Sequence, residues 1–476
     1  MAPVSRIVVI GGVAAGMSAA SQAKRRSPGS DVVVLERGPH VSYGACGIPY
    51  NIEDSSRRIE DLVVLTPERL REERGIDVRT RHEVVGIDTT ARRLAVRDLA
   101  AEETYGLSYD ALVIATGAAA VKPSIPGLDL PGVFLLRDLQ DGAALKRHLA
   151  ERRPRRAVIV GAGYIGMEMA EVLTHRGMDV TVVEKLGQVI PGFEPAIAEA
   201  VRSELEGRGV RVETGVGVHA VEPSGGAAAL RVRTDRGEFL ADLVLVSVGI
   251  RPNVALARAA GVPLGESGAI AVDPGMRTRV PGVFAAGDCA EAHHRVSGKP
   301  AYVPLGTTAN KQGKVAGANA AGADEEFGGI VGTAAFKVFD LEVGRTGLGP
   351  EEARRLGLDP VVAVSRHGSR GHAYPGGRTI TTVLVAERSS GRLLGAQMVG
   401  GDAVAKRVDV FATALHGRMT VEDLESLDLS YAPPFAPVYD PVLIAATVAR
   451  KELARAREAS PVDRREDLAS VAGPRR

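Results

Sequence analysis

One strand–turn–helix–strand pattern occurs twice in this sequence, and the repeat constrains the fold more than any other feature. The copies are RIVVIGGVAAGMSAASQAKRRSPGSDVVVLE (residues 6–36) and RAVIVGAGYIGMEMAEVLTHRGMDVTVVE (residues 156–184). Each begins with a continuously apolar strand, as expected for a parallel strand that is covered on both faces. A glycine-containing turn, a helix and a second strand follow. The repeat therefore predicts an α/β fold with two doubly wound nucleotide-binding domains.

The second copy contains a complete dinucleotide-binding fingerprint, G-x-G-x-x-G, of the Rossmann-like kind. Its turn residues, all candidates for cofactor contacts, are Gly161, Gly163, Tyr164, Ile165 and Gly166. Glycines here let backbone N–H groups approach a pyrophosphate at a helix N-terminus. Glu184 ends the second strand, where it would accept hydrogen bonds from ribose hydroxyls and repel a 2′-phosphate, so it predicts NADH over NADPH. The adjacent Lys185 could weaken that preference, which leaves NADPH open.

The first copy departs from the fingerprint at one position, because a valine replaces the middle glycine. The candidate cofactor contacts in this copy are Gly11, Gly12, Val13, Ala14, Gly16, Glu36 and Arg37. Glu36 ends the second strand, as Glu184 does in the other copy, and is suited to a ribose hydroxyl pair. Taken alone, this copy could also be a strand–helix turn without any ligand.

Two later strands end in small residues, which would allow a ligand to lie close to the backbone. They are LVIATG (residues 112–117) and VFAAGD (residues 283–288), and a helix is expected near residues 304–322. The candidate cofactor contacts around them are Thr116, Gly117, Gly249, Gly287, Asp288, Pro304, Leu305 and Thr307. Two dinucleotide units predict two dinucleotides, and the usual pair is FAD with a nicotinamide.

The overall composition argues against several other classes of protein. The formal net charge is +1, which gives no field to recruit nucleic acid or an acidic membrane. No apolar run approaches the roughly 20 residues that span a bilayer, and no signal peptide precedes the first strand, so we expect a cytoplasmic protein without a membrane partner. Two cysteines cannot form a disulfide framework, and no spacing of ligands suggests a metal.

In this order, the segments resemble the FAD-dependent pyridine nucleotide-disulfide oxidoreductases over about residues 5–450. SYGACGIPY (residues 42–50) is similar to the S-x-x-x-C-G-x-P-Y motif of their single-cysteine branch, which holds coenzyme A-disulfide reductases, NADH:persulfide reductases, NADH oxidases and NADH peroxidases. The resemblance implies three domains and a tail. They are a discontinuous FAD domain (1–120 and 250–325), an NAD(P)H domain (121–249), a C-terminal α+β dimerisation domain (326–455) and a disordered tail (456–476).

Cys46 is the predicted catalytic residue. In the two-cysteine relatives a partner follows five residues later, and here that position is Asn51, so Cys46 must cycle as a thiolate, a mixed disulfide or an oxidised sulfur. Pro49 suits the first turn of a helix, which would place Cys46 near a helix N-terminus that stabilises thiolates. A buried filler is the alternative for a lone cysteine. We assign that structural role to Cys289.

The resemblance also implies a substrate site shared by two subunits. A coenzyme A groove would be lined by Ser18, Gln22, Arg25, Ser42 and Arg74. Hydride transfer from NADH would occur in a pocket containing Glu168. Tyr431, in the family's Y-A-P-P-F motif, would reach Cys46 of the partner subunit, so we expect a homodimer in which Tyr431 is a second catalytic residue. The alanines at 45 and 373 replace an Asn and a Tyr that are common in coenzyme A enzymes.

Several acceptors therefore stay open. A remodelled pocket would suit a persulfide, a polysulfide or another low-molecular-weight disulfide, with coenzyme A as a candidate ligand. Ala14 stands where the peroxidases have a histidine, which argues against peroxide and, more weakly, against oxygen. The alternatives are an NADH oxidase and a non-catalytic flavoprotein that senses redox state.

Overall fold

The structure, a computed structural model, describes residues 4–226 and 228–459. The chain divides into two compact units. The larger unit consists of Met1–Gly187, Arg208–His294 and Gly298–Ile330, and the smaller unit of Gln188–Gly207, Arg295–Ser297 and the chain from Val331 onward. Residues 188–207 thus group with the C-terminal part of the chain, although in sequence they fall within the segment expected to bind NAD(P)H.

The first copy of the repeat forms the centre of a five-stranded parallel sheet. In spatial order its strands are Val283–Ala285, Ala111–Ile114, Arg6–Ile10, Asp31–Glu36 and Asp77–Thr80. Both faces of the central strand are buried, as its apolar run predicted. Ile7 and Val9 pack with helices on one face, whereas Val8 packs with a small antiparallel sheet on the other.

The second copy forms a parallel sheet in which four strands have the same order, while the edge strand comes before the copy in sequence and not after it. Its strands are Val133–Leu135, Leu243–Val246, Arg156–Val160, Asp179–Glu184 and Arg211–Thr214. Each parallel sheet is accompanied by a three-stranded antiparallel sheet, one of His82–Asp88, Arg93–Asp98 and Glu103–Ser108 and the other of Val218–Pro223, Leu230–Thr234 and Gly237–Ala241. The two halves of the larger unit are therefore structural repeats, as their sequences predicted.

Seven α-helices of the larger unit are described. They are Ala14–Arg26, Ile48–Glu53, Pro67–Arg74, Leu139–Arg152, Tyr164–His175, Ala255–Ala259 and Gly306–Ala320. We call Ala14–Arg26 and Tyr164–His175 the first and second fingerprint helices. Short 3₁₀ helices lie at Ala45–Gly47 and Ile59–Leu62, and two-stranded ladders join Ala118–Ala120 to Ile250–Pro252 and Ala292–His294 to Lys299–Ala301.

The smaller unit is built on a five-stranded antiparallel sheet. Its strands, in spatial order, are Ala334–Val338, Leu341–Gly347, Leu393–Gly400, Thr379–Glu387 and Pro360–Gly368. Its helices are Pro195–Gly207, Pro350–Arg355, Val404–His416, Val421–Glu425 and Pro441–Glu458. Phe411 and Leu384 are fully buried in the core between sheet and helices. This mixed architecture agrees with the predicted α+β domain.

The last helix extends to Glu458, so residues 456–458, predicted as the start of a disordered tail, are helical. Residues 460–476, the rest of that predicted tail, lie outside the described residues. Within the described ranges, no helix combines the length and apolarity that a membrane span requires.

Candidate functional site

The two fingerprint turns share one backbone geometry. Gly11 and Gly161 have φ values of +104° and +103°, a region that favours glycine. A Cβ on Gly16 would lie 1.8 Å from the carbonyl oxygen of Gly11, and one on Gly166 would lie 2.2 Å from that of Gly161. The absence of a side chain at these glycines thus lets the first turn of each helix pack directly against the backbone at the end of the preceding strand.

Both fingerprint helices begin without a side-chain cap and without an acidic residue in the first turn. Their exposed backbone N–H groups and the positive end of the helix dipole favour an anion. The N-cap residues are Val13 and Gly163. A Cβ on Gly163 would meet no atom within 4 Å, which explains why the first copy tolerates a valine at the matching position. The turns fit the pyrophosphates of two dinucleotides.

The two strand-end acids, Glu36 and Glu184, are held in the same way. In each carboxylate one oxygen accepts a hydrogen bond from the fingerprint turn and the other from the backbone two residues ahead, all at 2.7–2.8 Å. The four backbone N–H donors belong to Gly12, Gly38, Ala162 and Leu186. These bonds fix the carboxylates where ribose hydroxyls are bound in such folds. The neighbouring Arg37 and Lys185 are exposed.

Asp288 has a partner that sequence reasoning missed. Nη2 of Arg137 lies 2.7 Å from Asp288 Oδ2, and Nε of Arg137 donates to the carbonyl oxygen of Ala118 at 2.9 Å. The Tyr302 hydroxyl donates to the Asp288 carbonyl oxygen at 3.1 Å. These contacts fix Asp288 just after its strand. There its carboxylate can accept a hydrogen bond from a hydroxyl group of a bound dinucleotide.

At the end of the strand Ala111–Ile114, the predicted cofactor contact Thr116 is held by two hydrogen bonds to Asn253. Thr116 Oγ1 donates to the Asn253 carbonyl oxygen at 2.7 Å, and Asn253 Nδ2 donates back to the Thr116 carbonyl oxygen at 2.9 Å. Gly117 and Gly249 have positive φ. Gly287 also has positive φ, and a Cβ there would lie 2.7 Å from the Cβ of Ala15 in the first fingerprint helix.

A third uncapped helix N-terminus follows these strands. Leu305 is the N-cap of the helix Gly306–Ala320, Pro304 precedes it, and Thr307 lies in the first turn, which contains no acid. This helix packs against the first fingerprint helix. The residues in and around the first copy therefore fit FAD, and those of the second copy fit a nicotinamide dinucleotide.

Cys46 lies in the 3₁₀ turn Ala45–Gly47, directly before the helix Ile48–Glu53, which contains Pro49 in its first turn. It is exposed, whereas Cys289 is fully buried with its Sγ 3.4 Å from the carbonyl oxygens of Ile114 and Ala286. The structural assignment of Cys289 is confirmed. Cys46 has the solvent access that a reacting thiol needs.

The protein surroundings of Cys46 do not stabilise its thiolate, contrary to our expectation. Although Cys46 is accessible to solvent, surrounding protein atoms partly bury its thiol and raise its pKa. The charges of Glu168 and Asp288 raise the pKa further, and Arg137 and a backbone hydrogen bond oppose them. The prediction considered only the helix N-terminus, and did not include the burial of the thiol or the charges of two carboxylates from distant segments. The structure thus places Glu168 and Asp288 within electrostatic range of Cys46.

Tyr50 joins the cysteine segment to the second fingerprint helix, and sequence reasoning did not assign it a role. Its hydroxyl donates to Glu168 Oε1 at 2.8 Å. Burial raises the pKa of Glu168, the nearby Glu171 raises it further, and the Tyr50 hydrogen bond opposes both. Burial and Glu171 therefore favour the protonated form of Glu168, and the Tyr50 hydrogen bond favours its ionised form.

The residues predicted to line a coenzyme A groove fall in neighbouring segments. Ser18, Gln22 and Arg25 lie on the first fingerprint helix, where Ser18 donates to Asn310 Oδ1 at 2.7 Å and Arg25 donates to Gln22 Oε1 at 3.2 Å. Nη1 of Arg74 donates a hydrogen bond to the hydroxyl oxygen of Ser21, on the same helix, at 3.4 Å.

Two further features bear on that groove. Ser42 has a φ of +50°, and its backbone N–H donates to the Gly12 carbonyl oxygen at 2.8 Å, which ties the cysteine segment to the first fingerprint turn. The basic neighbours of Arg25 bind the protein itself: Lys24 donates to the Ser30 carbonyl oxygen, and Arg26 pairs with Glu325. Of these three basic residues, Arg25 is exposed at the helix surface and is bonded to the neutral Gln22.

Tyr431 lies in the smaller unit, in a segment of non-regular structure rich in exposed aromatic side chains. Tyr431, Phe435 and Tyr439 are 51%, 76% and 68% exposed, and Tyr374 of the nearby loop is 40% exposed. Its neighbour Ala373 is also exposed.

Three potential metal ligands also come together in the larger unit. Atoms of Glu53, Glu171 and His175 lie within 4.8 Å of one another. The Nδ1 of His175 is 2.7 Å from Glu53 Oε1, which is a hydrogen-bonding distance, and we interpret the group as a hydrogen-bonded contact between two helices.

Comparison with known protein families matches both units of the chain. The family described as "Pyridine nucleotide-disulphide oxidoreductase" matches residues 5–316, and its dimerisation domain matches residues 333–441. These matches confirm the predicted resemblance, the fold class and a homodimer. The cofactors of this family are FAD and NAD(P)H.

Individual relatives cover almost the whole chain. An "NAD(P)H sulfur oxidoreductase (CoA-dependent)" of Pyrococcus furiosus is 40% identical over 446 residues, which are 93% of this chain and 98% of that protein. An "NADH oxidase" of Methanocaldococcus jannaschii is 36% identical over 455 residues, 94% of this chain and 99% of that protein. The solved structure of a NAD-dependent persulfide reductase from A. fulgidus has a TM-score of 0.90 at 38% identity and covers 94% of this chain and 83% of that chain.

Proposed function

Because the chain belongs to the pyridine nucleotide-disulphide oxidoreductase family, we propose that it moves electrons from NAD(P)H through FAD and Cys46 to a low-molecular-weight disulfide, persulfide or polysulfide. The observation that carries this proposal is the placement of one exposed, unpaired cysteine beside Glu168 and Asp288, in the unit that contains both fingerprint turns. The names of the Pyrococcus furiosus and A. fulgidus relatives support a sulfur acceptor.

The two copies of the repeat would divide the cofactors between them. The first fingerprint turn, Glu36 and Asp288 would hold FAD, and the second turn and Glu184 would hold the nicotinamide dinucleotide. The bound flavin supplies the transfer of a hydride equivalent from NADH to sulfur. Glu168, fixed by Tyr50, would border the pocket between the two cofactors.

Cys46 would carry out the sulfur chemistry. Its thiolate would attack one sulfur of the substrate disulfide, forming a mixed disulfide and expelling the other half as a thiolate. Two electrons from NADH would then cleave the mixed disulfide, which restores the Cys46 thiolate and releases the second thiol. With one proton from solvent, the balance is one disulfide, one NADH and one proton giving two thiols and NAD⁺.

Tyr431 of the partner subunit would assist that expulsion. The match to the dimerisation domain supports a homodimer, and a closed two-fold pairing would create two equivalent shared sites. The exposed Tyr431 hydroxyl would donate a hydrogen bond or proton to the departing sulfur. A cytoplasmic location is consistent with a reduced, unpaired Cys46.

An acceptor comparison tests the proposal. We would measure NADH oxidation by the purified holoenzyme with coenzyme A disulfide, coenzyme A persulfide, polysulfide and oxygen, and repeat each assay with Cys46→Ser. Rapid turnover with a sulfur acceptor that is lost in Cys46→Ser is the expected result. Cys289→Ser is the matched control and should retain the activity, because Cys289 is buried. Equal activity of the Cys46→Ser variant would contradict the proposal.

Oxygen is the second candidate acceptor, favoured by the similarity to the NADH oxidase of Methanocaldococcus jannaschii. Ala14, the first residue of the first fingerprint helix, cannot supply the acid–base function of the peroxidase histidine. The rate with oxygen alone should therefore be well below the rate with a sulfur acceptor. Equal rates would favour the oxidase assignment.

A further inference from the structure

A single buried guanidinium holds the end of the segment that carries Tyr431. Arg407 lies on the helix Val404–His416, and its side chain is 8% exposed. Its Nε lies 3.1 and 2.9 Å from the two carboxylate oxygens of Asp440, whose side chain is 10% exposed. Asp440 in turn caps the last helix by accepting a hydrogen bond from Val442 N–H at 2.9 Å. The ion pair thus fixes the residue at which the segment ends.

The same guanidinium also binds three backbone carbonyl groups. Its Nη2 donates to Ser369 at 3.1 Å and to Phe435 at 3.2 Å, and its Nη1 donates to Asp402 at 3.3 Å. Phe435 is in the middle of the segment 431–440, and Ser369 opens the loop 369–377. One side chain therefore connects the helix, the loop and the segment. A planar guanidinium with five N–H donors can make all of these hydrogen bonds. A lysine ammonium has three donors and lacks the planar, forked geometry, so it cannot make the same hydrogen bonds.

The loop and the segment also bind each other directly. The Gly371 N–H donates to the Pro433 carbonyl oxygen at 2.9 Å. Arg370 pairs with Asp402 at 3.0 Å, and its guanidinium lies 6.0 Å from the ring centroid of Tyr374. The position of Tyr374 is thereby linked to the atoms that fix the segment.

Within its own subunit, burial of side chains does little to hold this segment. Tyr431, Phe435, Val438 and Tyr439 are all more than half exposed. Within the subunit, main-chain hydrogen bonds and the few buried residues near its end therefore fix the course of the backbone. Arg407 supplies the bond to Phe435 and the pair with Asp440, which makes it the principal side-chain tether of the segment.

We propose that Arg407 is a positioning residue for the sulfur-acceptor step, because it sets the backbone position of the segment 431–440 and hence of Tyr431. The inference rests on the proposed function in one respect, namely that Tyr431 acts at Cys46 of the partner subunit. Removing the guanidinium should leave the NADH-dependent step in the larger unit unchanged and impair the step in which Tyr431 takes part.

The test compares Arg407→Met with Tyr431→Phe in the flavin-loaded dimer. Reduction of the holoenzyme by NADH without acceptor should proceed at the wild-type rate in both variants. Reoxidation by the sulfur acceptor should slow by roughly 10- to 100-fold in each, the scale expected when a reacting group is misplaced by about 1 Å. The double variant should be no slower than Tyr431→Phe, because Arg407 acts through Tyr431.

Hydrogen exchange measured by mass spectrometry gives a readout that does not depend on activity. In Arg407→Met, amides of peptides covering 369–377 and 431–440 should exchange at least about tenfold faster, since their opening becomes easier. Arg388→Met is the matched control: Arg388 lies in the same unit and binds Asp359 at 2.8 Å and the Ala456 carbonyl oxygen at 3.0 Å, outside both segments. It should leave the exchange of both segments and the acceptor step unchanged.

A second variant covers the case in which Arg407→Met does not fold. Arg407→Lys retains a charge for Asp440 but loses the fork, and should accelerate exchange in the same two peptides by a smaller factor. Unchanged exchange in a folded Arg407 variant, or equal slowing of the NADH step, would overturn the proposal. If Tyr431→Phe alone keeps the wild-type acceptor step, the proposed role of Tyr431 fails, while the exchange data still decide whether Arg407 holds the segment.

Discussion

The Tyr50 hydroxyl lies 2.8 Å from Glu168 Oε1, and this bond links the cysteine segment to the helix of the second fingerprint. Burial raises the pKa of Tyr50, and the charge of Glu168 raises it further, so the hydroxyl stays protonated and acts as the donor. A hydrogen bond to the ionised form of a carboxyl group stabilises that form. Tyr50 therefore limits how far burial can raise the pKa of Glu168.

Tyr50→Phe should shift the pH dependence of the NADH step. Without the donor, the ionised form of Glu168 loses about 1–3 kcal/mol of stabilisation, so its pKa rises and the acid-side change in rate moves to higher pH. Rapid-mixing measurements of holoenzyme reduction by NADH between pH 5 and 9 would detect the shift. Tyr105→Phe is the control, because Tyr105 binds Arg79 in another part of the larger unit. Coinciding profiles for wild type and Tyr50→Phe would contradict this account.

Cys46 should titrate at lower pH when Glu168 is made neutral. Burial is the first cause of the raised pKa of Cys46 and the negative charge of Glu168 is the second, so Glu168→Gln removes the second cause and leaves burial and the charge of Asp288. The pH dependence of Cys46 alkylation, followed by peptide mass spectrometry, should show a midpoint below that of wild type. Cys289 provides an internal reference, since it is buried and should resist alkylation.

Glu60→Gln is a charge-matched control for that experiment. Glu60 lies on the 3₁₀ helix Ile59–Leu62, its side chain is 49% exposed, and it is absent from the charges that raise the pKa of Cys46. Its substitution should leave the alkylation midpoint unchanged. A midpoint in Glu168→Gln equal to that of wild type would mean that the charge of Glu168 does not act on the Cys46 thiol.

The repeat made the parallel sheets predictable, whereas the partners of the site residues were not. The apolar strands and glycine turns at residues 6–36 and 156–184 set the local structure, because close backbone approach requires glycine at fixed spacings. Arg137 and Asp288, however, are 151 positions apart and meet only in the folded chain. Arg407 and Asp440 likewise give no local signal. The raised pKa of Cys46 could not be predicted from the local sequence either, because its largest cause is burial in the folded chain and the next two, the charges of Glu168 and Asp288, come from residues distant in sequence.

The enzyme should prefer NADH to NADPH because Glu184 is held rigidly by two backbone N–H groups. A carboxylate fixed in this way cannot turn away from a 2′-phosphate, and the cost should be about 1–3 kcal/mol, or roughly 5- to 150-fold in the ratio of kcat/KM values. Glu184→Ala should reduce that ratio, and it should also destabilise the fold by about 1–3 kcal/mol, because it leaves the N–H groups of Ala162 and Leu186 without their acceptor.

Lys185→Ala is the comparison for Glu184→Ala. Lys185 is exposed, so its removal should leave stability unchanged and should strengthen the preference for NADH by removing a positive charge near the 2′-phosphate. Equal kcat/KM values for the two cofactors in the wild-type enzyme would contradict the role of Glu184.

The shared site predicts complementation between two inactive variants. Cys46→Ser and Tyr431→Phe homodimers should both be slow, since every site lacks one of the two groups. In a heterodimer of the variants, one site receives Cys46 from one chain and Tyr431 from the other, and the second site lacks both. Mixing with subunit exchange should therefore restore activity to about half that of a wild-type dimer for each heterodimer formed.

Native mass spectrometry should first establish that the chains have exchanged. A mixture of Cys46→Ser with wild type is the control, because its heterodimers also hold one intact site and set the activity expected for one site per dimer. The activity of the Cys46→Ser and Tyr431→Phe mixture should match this control when both are corrected for heterodimer content. If exchange is complete and activity does not rise above that of the two variant homodimers, Tyr431 does not act on the partner subunit's Cys46, because a site shared between chains must be rebuilt by the heterodimer.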